Sequence, residues 1–464
     1  MLAGLRRWGA VVATLGGAAC GQAEDGRDGL GEPVGQSSIG AAATDADDGD
    51  DGSGAELPDG DGGPSLDAGA AGGGPPGVAC DPDSTAMGSE VEFSYIWIAN
   101  SPDGTVSKID TRTRVEVARY YTGPSQGLDD PSRTSVNLHG DVAVANRRGG
   151  IVKFAAELER CVDRNANGTI ETSSGPSDVL PWDLEECRIW FHEIAVEPGI
   201  PQFGTVNPQG PRPTAWDIGE DLNPCADDHR VWVGWYSALA QTVHLRRLDG
   251  RTGDVLDSVD EVGWPSEYLL SYGPYGGAIA PDNALWVLGL GGPLARVDAI
   301  TLDVERWDVP SGTRPYGIAM DASGDPWMAG LDGKVMHFDP DAGTFDVIEA
   351  TAGGLRGLQV DRDGIAWAAH GVPGGGLGCG LVKVDVATRT LLDGAVPLPG
   401  CVEPVGVSVD VDGFVWLPDK GANGAYKVDP ISHTTEFVDG LVAPYTYSDM
   451  TGAGLALVAL PPQG

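Results

Sequence analysis

The stretch PYGIAMDASGDPWMAGLDGKVMHFDPDAGTFDVI, residues 315–348, contains four short apolar-alternating runs separated by Asp/Gly-rich turns. Alternation with period two marks strands with one buried face, and an Asp-x-x-Gly or Asp-Gly break is the turn that returns the chain beside itself. The second run carries a tryptophan, Trp327, and the third and fourth are separated by DPDAG. One such unit is a four-stranded antiparallel meander of about forty residues.

The unit repeats. LRGLQVDRDGIAWAAHG continuing through GLVKVDVATRTLL follows from Leu355, and PVGVSVDVDGFVWLPDKGANGAYKVDPISHTTEFV follows from Pro404. The tryptophans count the copies: Trp97, Trp232, Trp286, Trp327, Trp367 and Trp416 stand at equivalent places, and Val144 in GDVAVANRRGGIVKF takes the place once. Spacings near 40 residues suit the blades of a propeller. The expectation is an all-β, seven-bladed β-propeller with four-stranded blades, with a solenoid of strands as the competing architecture. The ends favour a ring. The first unit opens directly on its tryptophan strand, FSYIWIAN, while the chain finishes on PYTYSDMTGAGLALVAL, which reads as an inner strand lacking the rest of a unit. Joined, they complete the first blade and cover the exposed edges.

The recurring P-x-G-[IV]-x-x-[DP]…G-x-x-W-[VM] pattern resembles that of the virginiamycin B lyase-like seven-bladed propellers, from about Phe93 to Leu460. That resemblance implies the fold, and it implies a lyase that opens a lactone ring by elimination with histidine, glutamate and a bound magnesium ion. Here Tyr, Val and other residues stand where the lyase pattern has histidine, so the catalytic set does not carry over residue by residue.

Val144 and Trp232 are too far apart for one unit, and residues 155–211 read as an insertion. Within it, DRNANGTIE places Asp163, Asn165 and Asn167 at alternate positions before Gly168, the spacing of an EF-hand-like or dockerin-like calcium loop, with the Thr169 carbonyl as a further ligand. Ser174 stands where an EF-hand has its bidentate glutamate, so Glu171, or a more distant Asp178 or Asp183, would close the shell; a metal-free Asn-Gly turn is the alternative. The expected calcium is structural. Cys161 and Cys187 bracket the loop as an expected disulfide, Cys379 pairs with Cys401 by proximity, and Cys80 is left for Cys225 by elimination.

Arg6 and Arg7, an uncharged run, and Gly17-Ala18-Ala19-Cys20 read as a secretory signal over residues 1–20. Its end resembles a bacterial lipoprotein signal, which implies lipidation at Cys20; ordinary cleavage nearby is the alternative. Residues 21–79 have thirteen Asp/Glu against Arg27 alone and no aromatic residue, the composition of a disordered acidic tether. The propeller domain is expected over 80–464. The sequence therefore points to an exported, lipid-anchored protein of the cell envelope, on the outer-membrane side. A net charge of −39 excludes nucleic acid as a partner, since phosphate binding needs clustered Lys and Arg.

The loops leading into the innermost strands carry Arg133, Arg212, Tyr275, Arg314, Tyr316, Arg356, Glu403, Tyr445, Tyr447 and Asp449. Arginines recurring at equivalent places in an acidic chain suggest an anion-binding ring; the bland reading is that they pair with neighbouring carboxylates and carbonyls. The ends of the tryptophan strands carry Asn100, Asn146, His370 and Asp419, of which His370 and Asp419 are acid/base candidates. No Walker or HExxH motif is present. The expectations are a monomeric binding module for a small molecule, glycan or envelope protein, with an anionic or carbohydrate ligand at the channel face. The alternatives are a lyase or hydrolase on that face, and a purely structural propeller.

Overall fold

The computed structural model describes residues 93–461, apart from 198–199, 203–204, 208, 228, 265–271, 352 and 372–377. The signal, the tether, Cys20 and Cys80 lie outside the described residues. The strands form seven antiparallel blades: 95–121, 131–192, 214–262, 274–307, 315–349, 355–397 and 408–438. Blade 1 has three strands of its own, and residues 444–450 supply the fourth. Tyr445 N donates to Ala99 O and Trp97 N to Met450 O, both at 2.9 Å, and Asn100 bridges to Pro444. The ring closes as expected.

The repeat motif now has a physical cause. The six tryptophans are almost wholly buried between blades, with Val144 in the same place in blade 2. The aspartate that ends three of the innermost strands accepts the indole N–H: Asp321 from Trp327 at 2.9 Å, Asp361 from Trp367 at 2.7 Å, Asp410 from Trp416 at 2.8 Å. A buried indole donor left unpaired would be costly, so the Asp and Trp of D-x-x-G-x-x-W are one unit. The glycine of P-x-G allows adjacent innermost strands to approach: a Cβ at Gly317 would lie 2.3 Å from Arg356 O, and one at Gly406 2.1 Å from Thr446 O. Across from five of the tryptophans the third strand offers a cation, Lys108, Arg247, Arg296, Lys383 and Lys427, and across from Trp327 it offers His337.

Two sequence expectations change. The span 155–211 is not one insertion, because Arg188–His192 pairs with Ile151–Phe154 as the fourth strand of blade 2. The inserted part is 155–187, with Ile200–Gln202 and Thr205–Asn207 as a separate hairpin. The last residues are not all strand: Ala453–Ala459 is a helix against the innermost strands of blades 4, 5 and 7. Its sequence AGLALVA has no polar position to face water, and Leu455, Ala456, Leu457 and Val458 are buried, closing that end of the channel.

Candidate functional site

The open end of the channel, where the innermost strands begin, is built around one cation. Arg133 follows Pro131 at the start of its strand and is 1% exposed. Its guanidinium lies 3.1 Å from the Tyr447 ring centroid and 4.8 Å from that of Tyr275. It donates to Tyr275 O through Nε (3.3 Å) and Nη2 (3.2 Å), and to Ser132 O through Nη1 (2.8 Å). Among the described residues no carboxylate oxygen lies within 4 Å of it. Burial pulls this guanidinium down to about 10, because desolvation disfavours the charged form. Arg212, also buried, lies over the Tyr272 ring at 4.3 Å.

A tyrosine chain runs outward from this centre. Tyr275 Oη donates to Tyr316 Oη at 3.3 Å, and Tyr316 and Tyr445 share a 2.5 Å hydroxyl bond. Burial raises the phenols of Tyr275 and Tyr316. At Tyr445 burial also raises, but the guanidiniums of Arg147 and Arg133 outweigh it and hold the phenol below its ordinary value. The buried Tyr447 Oη has no hydrogen-bond partner among the described residues.

Tyr445 opens into a cleft of about 410 Å³ whose walls include Asp130, Arg147, Arg148 and Lys420. Arg147 is ion-paired to Asp130 and lies 5.0 Å over the Tyr445 ring. Lys420 reaches Glu403 at 3.3 Å, and Glu403 also receives Arg356 at 3.1 Å. Arg148 is exposed and makes no ion pair among the described residues. The carboxylates here are thus consumed by cations, leaving the mouth positively charged in a strongly acidic chain. A magnesium ion, which needs free oxygen ligands, does not fit this donor set.

Of the residues expected from sequence, Arg133, Arg212, Tyr316, Arg356 and Tyr447 meet here, with Tyr275 and Tyr445. Arg314 is exposed and joins none of these contacts; its backbone N–H donates to Asp332 Oδ1 at 3.2 Å and its carbonyl accepts from Leu331 N at 2.8 Å. Asp449 lies at the other end of the channel, where its carboxylate accepts the N–H groups of Thr451 (3.2 Å) and Gly452 (2.9 Å) ahead of the helix. Sequence reasoning passed over Arg147, Arg148 and Lys420. The signal was the Arg-Arg pair in NRRGG, directly after a tryptophan-type strand.

His370 and Asp419 do not form an acid/base pair. Asp419 is fully buried and accepts four backbone N–H groups, from Val402 (2.7 Å), Glu403 (2.8 Å), Gly421 (2.9 Å) and Ala422 (3.0 Å). A carboxylate so engaged anchors two loops. His370 is buried with Nε2 2.8 Å from Thr351 Oγ1, and burial pushes its ring below the usual histidine range. A larger cavity of about 520 Å³ lies at the helix end, but its Asp361 and Asp410 hold indoles and its Asp412 is paired to Arg112 at 2.9 Å.

In the inserted loop, Asp163 accepts N–H from Asn167 (3.2 Å) and Gly168 (2.8 Å), while the side-chain amides of Asn165 and Asn167 both reach Glu171 at 2.7 Å. Of the three acidic residues the sequence offered, Glu171 receives these amides and Asp178 bonds Ser174. The Cys161–Cys187 disulfide holds the loop base, and Cys379–Cys401 is also formed. Cys225 is disulfide-bonded, and its expected partner Cys80 lies outside the described residues.

The sequence matches no family profile and no curated protein. Solved structures similar to this one include virginiamycin B lyase from Staphylococcus aureus, 14% identical, covering 68% of this chain and 87% of that chain with TM-score 0.45. A provisionally assigned 6-phosphogluconolactonase from Bacteroides uniformis is 14% identical, covering 76% and 98% with TM-score 0.49. A protein of unknown function from Bacteroides caccae is 10% identical, covering 64% and 92% with TM-score 0.41. These likenesses are of structure, at low sequence identity.

Proposed function

We propose that this protein is an exported binding module whose channel mouth takes an anionic ligand, an acidic carbohydrate or a small organic anion. The observation that carries this is Arg133, a wholly buried guanidinium with two aromatic faces and no carboxylate, beside a cleft bearing Arg147, Arg148 and Lys420. A buried cation without a counter-ion is unfavourable until an anion arrives. The signal-like leader, the Cys20 anchor and the acidic tether would hold this face away from an envelope membrane. The inserted loop would bind calcium through Asp163, Asn165, Asn167, Thr169 and Glu171 as a structural staple.

The test is isothermal titration of the full chain with uronate oligosaccharides, sugar phosphates and dicarboxylates, in low and high salt. Binding weakened at least about tenfold in Arg148→Glu and Lys420→Glu, and weakened by salt, supports the reading. Unchanged affinity in both variants, or binding by neutral sugars alone, removes it.

Tyr445 favours a second reading on the same face. A phenol held below its ordinary value by guanidiniums, in a hydroxyl chain that opens on a cleft, has the makings of a general base for an elimination or hydrolysis. Turnover of lactone or uronate substrates, lost in Tyr445→Phe, would move the protein to that class.

A further inference from the structure

Blade 5 departs from the other blades at two positions that touch each other. Opposite the buried tryptophan, blades 1, 3, 4, 6 and 7 place Lys108, Arg247, Arg296, Lys383 and Lys427, while blade 5 places His337. Two residues before the tryptophan, blades 4, 6 and 7 carry Ala284, Ile365 and Phe414, while blade 5 carries Asp325. Blade 5 thus has an imidazole where those five blades have a Lys or Arg, and a carboxylate where blades 4, 6 and 7 have an apolar residue.

The resulting geometry is specific. His337 is 2% exposed, its Nε2 lies 2.9 Å from Asp325 Oδ2, and one ligand atom from each of Asp321, Asp325 and His337 lies within 4.8 Å of the other two. Ligand atoms at about 2 Å from one zinc ion stand about 3 to 3.5 Å apart, so the three atoms need only a small closure. The other ring nitrogen, Nδ1, faces Asp346 Oδ2 at 3.4 Å, and that oxygen is held by Arg389 Nη1 at 2.6 Å. Metal-binding histidines are oriented in this way, with one N–H given to a carboxylate so that the other nitrogen turns its lone pair to the metal. Asp321 is fixed by the Trp327 indole at 2.9 Å and by the N–H of Ser323 (2.9 Å) and Asp325 (3.0 Å). Asp325 is part-exposed, which leaves a route from solvent.

We propose that Asp321, Asp325 and Nε2 of His337 bind one divalent transition-metal ion, zinc by preference, with Asp346 as the residue that positions the imidazole. Imidazole together with two carboxylates suits zinc better than calcium or magnesium. The ion would tie the first turn of blade 5 to its third strand, in the role that a Lys or Arg charge fills in the neighbouring blades. The site is separate from the channel mouth and from the inserted loop.

Two variants copy the neighbouring blades and so are compatible with the fold: His337→Lys, the residue type of blades 6 and 7, and Asp325→Ile, that of blade 6. The full chain, stripped with a chelator and dialysed, is titrated with Zn²⁺ and separately with Ca²⁺ and Mg²⁺, with bound metal counted by elemental analysis and melting temperature followed. Wild type is expected to bind one more equivalent of Zn²⁺ than either variant, and to gain about 2 °C or more from zinc that both variants lack. Equal zinc stoichiometry in all three, or a wild type insensitive to zinc whose melting changes only with pH, would mean that His337 is an ordinary charged partner of Asp325 and would overturn the site.

Discussion

The guanidinium of Arg133 lies 3.1 Å from the centroid of the Tyr447 ring, with both residues almost wholly shielded from water. Tyr447 comes from the last stretch of the chain and Arg133 from blade 2, so ring closure assembles the centre of the mouth. Cation–π attraction of this desolvated kind contributes about 2 kcal/mol, less than the cost of burying an unpaired charge. On the proposed function, a bound anion would offset that excess.

Arg133→Met, which keeps the volume and removes the charge, is accordingly expected to leave the melting temperature within about 2 °C of wild type or to raise it, while weakening anion binding at least about tenfold. Thermal denaturation and calorimetric titration of the same sample check both halves. A large fall in melting temperature would make Arg133 structural.

Tyr445 titrates below the ordinary tyrosine range, since Arg147 and Arg133 favour its phenolate more than burial opposes it. Absorbance near 295 nm during an alkaline titration of the folded protein should contain an early tyrosinate step. That step is expected to vanish in Tyr445→Phe and to move upward in Arg147→Gln.

Calcium should raise the melting temperature of the full chain and EDTA should lower it. Asp163→Asn and Glu171→Gln each remove one formal charge from the donor set, and the calcium-linked shift should shrink in both. A shift of the same size in both variants would show that the ion binds elsewhere.

His229 is held down to about 3 by burial and by the neighbouring charges of His139 and Lys153. The folded state therefore favours the neutral ring, and the unfolded chain takes up the proton first on acidification. This contribution is fully present above pH 6.5 and is lost as pH falls towards 3, on the order of 5 kcal/mol over the whole window. Urea denaturation at stepped pH should show stability declining through that range, and His229→Asn should flatten the decline.

The legibility of the fold has a local cause. The Asp-x-x-Gly turn and tryptophan of blades 5, 6 and 7, and the Pro-x-Gly of blades 4, 5 and 7, are fixed by contacts within about forty residues or with an equivalent neighbour, so the pattern repeats along the chain and can be counted. The divided insertion was hidden because Arg188–His192, RIWFH, is too short to advertise itself as the missing fourth strand. The C-terminal helix was hidden because AGLALVA is apolar on all sides, and only its burial at the end of the channel distinguishes helix from strand.

The candidate site was half legible. Its arginines and tyrosines stand at equivalent points of the repeat, but which of them face a carboxylate is a matter of neighbours far apart in the chain. Arg356 finds Glu403 and Arg147 finds Asp130, whereas Arg133 finds only rings and carbonyls. Asp419 looked like a catalytic acid until four backbone N–H groups were seen to use its oxygens.

By itself, then, the sequence determined the number of blades, the closure of the ring and the acidic character of the chain, because strand alternation, turn chemistry and charge are local properties. Only the tertiary structure decided which polar groups are satisfied. That depends on residues brought together from different blades, and it separates Arg133 and the His337 cluster from the many carboxylates and histidines that simply hold the scaffold.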